Sequence, residues 1–244
     1  MRTQAIPRVL LLVGVAAIVS SAASAQVKAA KKLSQTDVAV SLYGTFNRST
    51  SAANSVIGTV LSPSNAAGGL IEFRQISKPW IGYEGTIALN RANQAYSSQT
   101  NAVCGVCTAT TVLTPVSANA REVTGDWIAS LKIMSFRPFA LAGGGLLLDK
   151  PTSGLATTST IITLCGVEPG CTPGTTTSTV NTSSSNRVVY VYGAGLDWNL
   201  LPHIGLRLQY RGNVYKAPNL LTSVSSISAF TRTSEPMLGA YFRF

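Results

Sequence analysis

Eight segments of this 244-residue chain alternate apolar and polar side chains with a period of two, which severely limits how it can fold. Such a period places successive side chains on opposite faces of a β-strand. In residues 38–47, for example, Val38, Val40 and Leu42 share one face, while Ser41 shares the other with further polar groups. The pattern predicts strands over 37–48, 66–76, 80–91, 120–133, 138–150, 187–200, 204–215 and 232–244, of which the fifth alternates least clearly.

The connections between these segments are alternately short and long. The three short ones, at 77–79, 135–138 and 201–203, each contain a proline, which favours turns. The four long ones are rich in Ser, Thr, Asn and Ala and span 49–65, 92–119, 151–186 and 216–231. Outer-membrane barrels combine short periplasmic turns with long outer loops. The sequence therefore predicts an all-β fold, an eight-stranded antiparallel up-and-down transmembrane β-barrel with both chain ends on the periplasmic side.

The N-terminal residues predict export. A basic stretch containing Arg2 and Arg8 precedes an apolar stretch at 9–19, and small residues follow up to Ala25. This order is typical of a secretory signal peptide, here 1–25, which is removed from the mature protein. The alternative, a membrane anchor, is disfavoured because the apolar stretch is too short to cross about 30 Å of hydrocarbon as a helix.

Composition supports a membrane-spanning barrel. Charged residues make up 11% of the chain, against about 25% in ordinary soluble domains. Beyond the signal peptide the longest apolar run, 139–148, is interrupted by three glycines and cannot form a spanning helix. A closed barrel is then the remaining way to cross a bilayer. We expect a periplasmic stub at 26–36 and a barrel at 37–244 in a bacterial outer membrane.

The chain resembles the small eight-stranded outer-membrane barrels of the OmpA/OmpX-like group. The stretch YGAGLDWNLLPHIGLRLQYRG (192–212) resembles their strand–turn–strand hairpins, and RPFALAGGGL (137–146) resembles their fifth strand. The resemblance covers about 37–244 and specifies architecture, not activity. The final LGAYFRF resembles the group's C-terminal assembly signal through Gly239, Phe242 and Phe244, although Met237 stands where a polar residue is usual. This resemblance implies that the outer-membrane barrel assembly machinery is a partner of the chain.

The polar strand faces are expected to line the barrel interior, which in an eight-stranded barrel is just wide enough for side chains. Charges in such a space must pair, because isolated buried charges cost several kcal/mol or more. The predicted interior carries five acids and five bases, which favours a filled, salt-bridged lumen over an open pore. The predicted network comprises Glu72, Arg74, Glu84, Glu122, Asp126, Lys132, Asp197, Arg207, Arg211 and Arg243.

A second set of cations lies where strands meet the long connections, at the predicted outer rim. Arginine and lysine there could bind lipid phosphates through charge-assisted hydrogen bonds, which suggests lipopolysaccharide or another anionic lipid as a partner. The alternative is that long basic side chains simply extend toward water at strand ends. The set comprises Arg48, Arg91, Arg121, Lys150, Arg187, Lys216 and Arg232.

Aromatic residues collect at the opposite, periplasmic ends of the strands. Such clustering is typical of the aromatic girdle at a membrane interface. Aromatic residues in the core of a sandwich would not gather at one end of the strands. The predicted girdle comprises Phe73, Trp80, Phe136, Phe139, Trp198, Phe242 and Phe244.

Four cysteines lie in two long connections, and an even number in an exported chain favours disulfides. Cys104 pairs with Cys107 and Cys165 with Cys171 in the connectivity that we favour from the sequence, and cross-loop pairing is the alternative. The four sulfurs could also bind zinc, but an oxidising compartment argues against that interpretation.

The sequence does not point to an enzyme. The single histidine, His203, lies in a periplasmic turn, far from where a lipid-modifying enzyme would need it. Glu122 and Asp126 could serve acid–base chemistry, but pairing with the lumen bases is the simpler role. The residues suggest no catalytic site, metal site or cofactor, and export argues against nucleic acid as a partner.

We therefore predict a non-enzymatic integral outer-membrane barrel with a structural or surface-interaction role. The outer connections are polar and nearly uncharged and identify no ligand. The alternatives are a narrow channel for ions or small solutes, a secreted β-sandwich binding protein, and a lipid-modifying enzyme that works without histidine.

Overall fold

The computed structural model describes residues 35–54, 57–78, 80–101, 107–165, 172–222 and 229–244. The predicted signal peptide and most of the predicted stub lie outside these residues. No helix in the described part of the chain is long and apolar enough to cross a membrane. The strands are β1 (Gln35–Asn47), β2 (Thr50–Asn54), β3 (Ile57–Pro63), β4 (Ala66–Lys78), β5 (Ile81–Asn101), β6 (Cys107–Ser130), β7 (Phe136–Pro151), β8 (Leu155–Cys165), β9 (Thr172–Asn181), β10 (Ser185–Asn199), β11 (Ile204–Lys216) and β12 (Phe230–Arg243).

Eight of these strands close into an antiparallel barrel, as the alternation predicts. The order around the wall is β1, β4, β5, β6, β7, β10, β11 and β12, and β12 pairs back onto β1. Closure gives every strand of the wall two partners, so the wall has no free edge for its backbone hydrogen-bonding groups.

The two faces of the wall carry the predicted residues. In β1, Val40 and Leu42 point outward and are 61% and 74% exposed, whereas Ala39 and Ser41 point inward and are almost fully buried. The same alternation runs through the other seven wall strands. Side chains thus fill the interior, as expected for a barrel of this size.

The second tight turn differs from its predicted position. β6 ends at Ser130, and the turn occupies 131–135, several residues before the proline that suggested it. Met134 takes a positive φ of 52° there, which is uncommon for a residue other than glycine. The shift places Lys132 in the turn and moves Arg137 into β7, facing the lumen.

The long connections contain strands that the sequence analysis did not predict. β5 and β6 continue well past their predicted limits, and β3 and β8 pair with these extensions. β2 pairs with β3, and β9 pairs with β8. A six-stranded sheet in the order β2-β3-β5-β6-β8-β9 therefore rises from one side of the barrel at the end opposite the tight turns, here called the outer end.

A second apolar core fills the outer end. The segment 217–222, which follows β11, packs against the inner face of the outer sheet. The Tyr96 hydroxyl donates to the Pro218 carbonyl at 2.8 Å and accepts from the Leu220 amide at 3.1 Å. Burial raises the pKa of Tyr96 to about 12, so this hydroxyl stays protonated. The core comprises Leu61, Tyr96, Val116, Ala118, Ala156, Ala217, Leu220 and Leu221.

Candidate functional site: the barrel lumen and the outward-facing cations

Arg207 organises a charged network in the inner half of the lumen, near the tight turns. Its side chain is fully buried and its guanidinium contacts four carboxylates. The nearest are Asp197, reached from Nε at 2.8 Å, and Asp37, reached from Nη2 at 2.9 Å. Glu72 and Glu84 lie 3.1 and 3.5 Å from Nη1.

Arg74 joins the same network from β4. It contacts Glu84 at 2.6 Å and Asp197 at 3.0 Å, and it is also fully buried. The Phe139 ring covers the Arg74 guanidinium at 4.0 Å, which adds a cation–π contact. The predicted girdle position of Phe139 is therefore corrected: it lies two residues after Arg137 and shares the lumen-facing side of β7 with it.

The structure brings together most, but not all, of the predicted lumen residues. Arg211 pairs with Glu122 at 2.7 Å, and Asp126 accepts a hydrogen bond from Thr124. Arg243 is half-buried at the inner mouth and donates to Asn199. Lys132 is exposed, because β6 ends before it. Its predicted place in the lumen is taken by Arg137 from the next strand.

Several lumen charges were not predicted. Asp37 and Glu235 follow the inward alternation of their strands, so that signal was available in the sequence. Asp149 lies in the fifth predicted strand, where three glycines obscure the alternation. With these residues, eight of the nine acids in the chain are buried in the barrel, and the ninth, Glu168, lies outside the described residues.

Apolar side chains fill much of the lumen beyond the inner network. One cluster joins Tyr43, Leu70, Ala88 and Met237 from four neighbouring strands. A larger cluster faces it across the barrel, and Gly143 and Gly145 bring the backbones of β6 and β7 into close approach beside it. The larger cluster comprises Ile128, Phe139, Leu141, Leu147, Val189, Val191 and Tyr215.

The cations of the predicted outer rim lie on the outside of the wall, with one exception. Arg187 forms an ion pair with Asp149 at the outer mouth, donates to the Lys216 carbonyl and lies over the Tyr215 ring. Its side chain is 8% exposed, so its predicted outward position is corrected. The exposed members are Arg48, Arg91, Arg121, Lys150, Lys216 and Arg232.

These six cations form two groups rather than an even ring. In the first, called triad A, Arg91 and Lys150 are both register partners of Asn119, and Arg121 lies one outward-facing position away on the same strand. Triad A thus spans β5, β6 and β7. Register partners on adjacent strands are about 4.8 Å apart, so its outer members are separated by about 10 Å at the backbone.

The second group, triad B, lies halfway around the barrel. The Arg48 amide donates to the Arg232 carbonyl at 3.4 Å, which places these residues opposite one another across the closing strand pair. Lys216 lies diagonally beside Arg232, at the end of β11. No described acid lies on the outer surface near either triad, because all described acids point inward.

The residues of the predicted girdle face outward, apart from Phe139. Phe136 and Trp198 are register partners whose rings stack with centroids 6.0 Å apart. Phe242 packs against His203 and Phe244. The exposed members of the predicted girdle are Phe73, Trp80, Phe136, Trp198, Phe242 and Phe244.

The residues of the predicted assembly signal lie on the closing strand. Gly239 faces Ser41, and a Cβ at this glycine would come within 2.6 Å of the Val40 carbonyl oxygen. The close approach of β12 to β1 at this point explains why the position is occupied by glycine. The Phe244 amide donates to the Thr36 carbonyl at 3.0 Å, so pairing extends to the final residue.

Two of the four cysteines are register partners. Cys107 lies directly opposite Cys165 across β6 and β8, whereas Cys104 and Cys171 lie outside the described residues. Opposite residues of an antiparallel pair have Cα atoms about 4.5–5.5 Å apart. That separation lies within the range of about 4.4–6.8 Å found in disulfides. The register thus favours the cross-loop pairing over the two local pairs.

We expect a Cys107–Cys165 disulfide in the oxidised protein. Mass spectrometry of a non-reduced proteolytic digest should show a peptide that links the second long connection to the third. Because this bond would close a loop of many residues, reduction should destabilise the outer sheet by about 2–4 kcal/mol. Recovery of only the local cross-links, Cys104–Cys107 and Cys165–Cys171, would contradict the expectation.

The described residues present little that resembles a catalytic or metal centre. His203 lies at the inner end, where its Nδ1 is 3.0 Å from the Arg243 carbonyl oxygen. Glu122 is engaged by Arg211 and Asn213. In the parts of the chain that are described, no three His, Cys, Asp or Glu side chains converge closely enough to hold a metal ion.

Comparison with known proteins gives structural likeness alone. The sequence matches no family model and no curated protein. Among similar solved structures, Ail, the attachment invasion locus protein of Yersinia pestis, is 14% identical, with 87% of this chain and 100% of that chain covered and a TM-score of 0.41. The outer membrane protein OprG from Pseudomonas aeruginosa is 13% identical, with 87% and 97% covered and a TM-score of 0.43.

The N-terminal β-barrel domain of Pseudomonas aeruginosa OprF is also similar, at 13% identity, with 87% of this chain and 100% of that chain covered and a TM-score of 0.35. These proteins are barrels of the kind that the sequence resembles. At such identities and TM-scores the likeness carries no argument about function, and the closed barrel is established by its own strand pairing.

Proposed function

We propose that this chain is an integral protein of a bacterial outer membrane, with a closed lumen and a structural or surface-interaction role. The observation that carries the proposal is the segregation of charge: every described acid lies inside the barrel, while eight described Arg and Lys residues are exposed on its surface. A protein in free solution gains nothing from this arrangement, whereas a barrel surrounded by anionic lipid does.

The outer surface of the wall supports a membrane location. Large apolar side chains surround the barrel between the aromatic girdle and the two triads. Soluble monomers rarely expose contiguous apolar surface of this extent. In a bilayer the same surface would contact hydrocarbon. The belt includes Val40, Leu42, Ile71, Ile87, Leu89, Val123, Leu146, Val188, Leu208 and Leu238.

The layered lumen supports a barrel that does not conduct. A solute would have to pass the Arg207 network, then the apolar clusters, and then the core at the outer end. Opening the first layer would separate buried ion pairs at a cost of several kcal/mol. The channel alternative therefore requires rearrangement of packed side chains.

Planar-bilayer recording with the purified, refolded chain tests this function. We expect a baseline without steady single-channel steps at physiological salt, because three packed layers block the lumen. A purified porin inserted under the same conditions provides the positive control. Reproducible unitary steps from this chain would overturn the closed-lumen proposal and favour the channel.

The two triads suggest the lipid partner. Each presents three cations on adjacent strands at the outer limit of the apolar belt, where the phosphates of an outer leaflet would lie. Guanidinium and ammonium groups bind phosphate by charge-assisted hydrogen bonds. We propose that triads A and B hold lipopolysaccharide or another multiply phosphorylated lipid on opposite sides of the barrel.

Neutralising triad A with Arg91→Gln, Arg121→Gln and Lys150→Gln should weaken retention in bilayers that contain lipopolysaccharide. A loss of about 1.4 kcal/mol of binding free energy lowers the apparent affinity tenfold. The three phosphate contacts together should contribute more than this, so the affinity should fall by more than tenfold. The measurement is detergent extraction from bilayers with and without lipopolysaccharide.

The matched control for triad A neutralises two exposed lysines at the inner end, with Lys78→Gln and Lys132→Gln. This variant should be retained like the unmodified protein, because the outer-leaflet phosphates lie at the other end of the barrel. Equal retention of the triad A variant and the control would argue that these cations only extend toward water.

Gly239, Phe242 and Phe244 are further proposed as an assembly signal read by the outer-membrane barrel assembly machinery. The two aromatic rings contact each other and are exposed at the inner end of the closing strand. A periplasmic partner could reach them there before β12 closes on β1. Gly239 has the separate structural role of permitting close contact with Ser41.

A further inference from the structure

A small cavity of about 30 Å³ lies in the outer half of the lumen, beneath the outer core. Seven of the eight wall strands contribute to its lining. Its lining includes the guanidinium of Arg187, which is paired with Asp149. It also includes the oxygen-bearing side chains of Asn90, Gln94, Glu122, Asp149, Asn213 and Glu235.

The outer half of the lumen carries more negative than positive charge. Three buried carboxylates, of Glu122, Asp149 and Glu235, face two guanidiniums, of Arg187 and Arg211, which leaves a net charge of −1 when all are ionised. Asp126 lies opposite Glu84 in the β5–β6 ladder and belongs to the inner half, where five carboxylates accompany four arginines.

Glu235 is the carboxylate at the cavity that forms no ion pair, although Arg211 lies opposite it in the β11–β12 ladder. Arg211 pairs with Glu122, and Arg187 pairs with Asp149. Among the described residues no Arg or Lys forms an ion pair with Glu235, which is 4% exposed and accepts one hydrogen bond, at 3.1 Å, from Asn213. A buried carboxylate in this condition is costly unless another positive group reaches it.

Two amide oxygens at the cavity also lack donors. Asn213 donates from Nδ2 to both Glu122, at 2.8 Å, and Glu235, so its Oδ1 is the atom left over. That oxygen has no hydrogen-bond partner, and Asn213 is 1% exposed. The Gln94 Oε1 is likewise without a partner in a side chain that is 7% exposed. Each unsatisfied buried acceptor costs about 1–3 kcal/mol.

We propose that this cavity binds one hard divalent cation, Mg²⁺ or Ca²⁺, which retains part of its hydration shell. Such ions take oxygen ligands, and Mg²⁺ in particular is held by one or two carboxylates with water completing its shell. The carboxylate of Glu235 supplies charge, and the free oxygens of Asn213 and Gln94 supply neutral ligands. Bound water accounts for the remaining ligands, since three acidic side chains do not converge there.

Isothermal titration of Mg²⁺ and Ca²⁺ into the full chain, refolded and washed with chelator, tests the proposal. We expect saturable one-to-one binding, and a Glu235→Gln variant of nearly equal volume should bind at least about tenfold more weakly, because cation affinity follows ligand charge. Asp126→Asn is the control: it removes a buried carboxylate of the lumen that does not line the cavity. Its affinity should fall much less.

Three results would overturn the cation site. Unmodified protein that shows no saturable heat would mean that the cavity holds water and that Glu235 is neutral. Equal affinity of Glu235→Gln and the unmodified protein would place any bound ion elsewhere. Equal losses in Glu235→Gln and Asp126→Asn would indicate a diffuse attraction. If Glu235→Gln fails to refold, Gln94→Leu takes its place and should also weaken binding.

Discussion

Replacement of Arg207 by methionine should lower the free energy of unfolding by about 3–5 kcal/mol, the cost of leaving buried carboxylates without their partner. Arg207 contacts Asp37, Glu72, Glu84 and Asp197, and Arg74 alone cannot neutralise all four. Urea unfolding of the refolded barrel in lipid vesicles, followed by tryptophan fluorescence, measures the change.

Lys216→Met is the matched control for Arg207→Met, since it removes a cation from the same strand but from its exposed end. It should change stability by no more than about 0.5 kcal/mol. Arg207→Lys should cause an intermediate loss of stability, because lysine retains the charge but lacks the planar guanidinium that contacts several carboxylates at once. A loss below about 1 kcal/mol for Arg207→Met would show that the network does not stabilise the barrel.

The second large effect is expected at Gly145. A Cβ on this residue would run into the Val123 carbonyl oxygen and approach the Thr124 Cα at 2.7 Å. Both atoms belong to the backbone of the paired strand β6, so neither can move aside without breaking the ladder. Gly145→Ala should therefore destabilise the barrel by about 2–3 kcal/mol, measured by the same unfolding experiment.

Gly125 supplies the matched control for Gly145. It lies on the neighbouring strand, and a Cβ built on it meets nothing within 4 Å. Gly125→Ala should alter stability by no more than about 0.5 kcal/mol. If the two alanine variants unfold at the same urea concentration, close approach of β6 and β7 is not what requires glycine at Gly145.

The barrel could be predicted because its physical requirement is repeated in every wall strand. Hydrocarbon outside and a narrow interior inside force opposite polarity on alternate residues, and all eight predicted segments became wall strands. Where glycines replace side chains, as at 143–145, the same signal weakens, and Asp149 was missed there.

The outer sheet could not be predicted in the same way because it has no hydrocarbon on one side. β8 and β9 are rich in Thr and Ser on both faces, so apolar and polar residues do not alternate. The β-propensity of threonine was an available signal, but it does not indicate which strands pair. That choice depends on the extended strands β5 and β6, which provide edges for β3 and β8.

Individual side chains were misplaced where a strand end differed from its estimate by a few residues. Lys132 and Arg137 exchanged roles because the turn begins at 131 rather than 135. The position of Arg187 near a strand end predicted the outer surface, although Arg187 lies two residues before the buried Val189 and shares its inward face, toward Asp149. Alternation is therefore a better guide to orientation than proximity to a predicted rim.

Migration on a denaturing gel before and after boiling tests the central claim, a membrane-spanning closed barrel, most directly. The chain should remain in the carbonate-washed membrane fraction, and an unheated sample should migrate differently from a boiled one, because the closed strand ladder resists detergent until it is heated. Release of the chain into the soluble fraction, with the same mobility before and after boiling, would contradict the account.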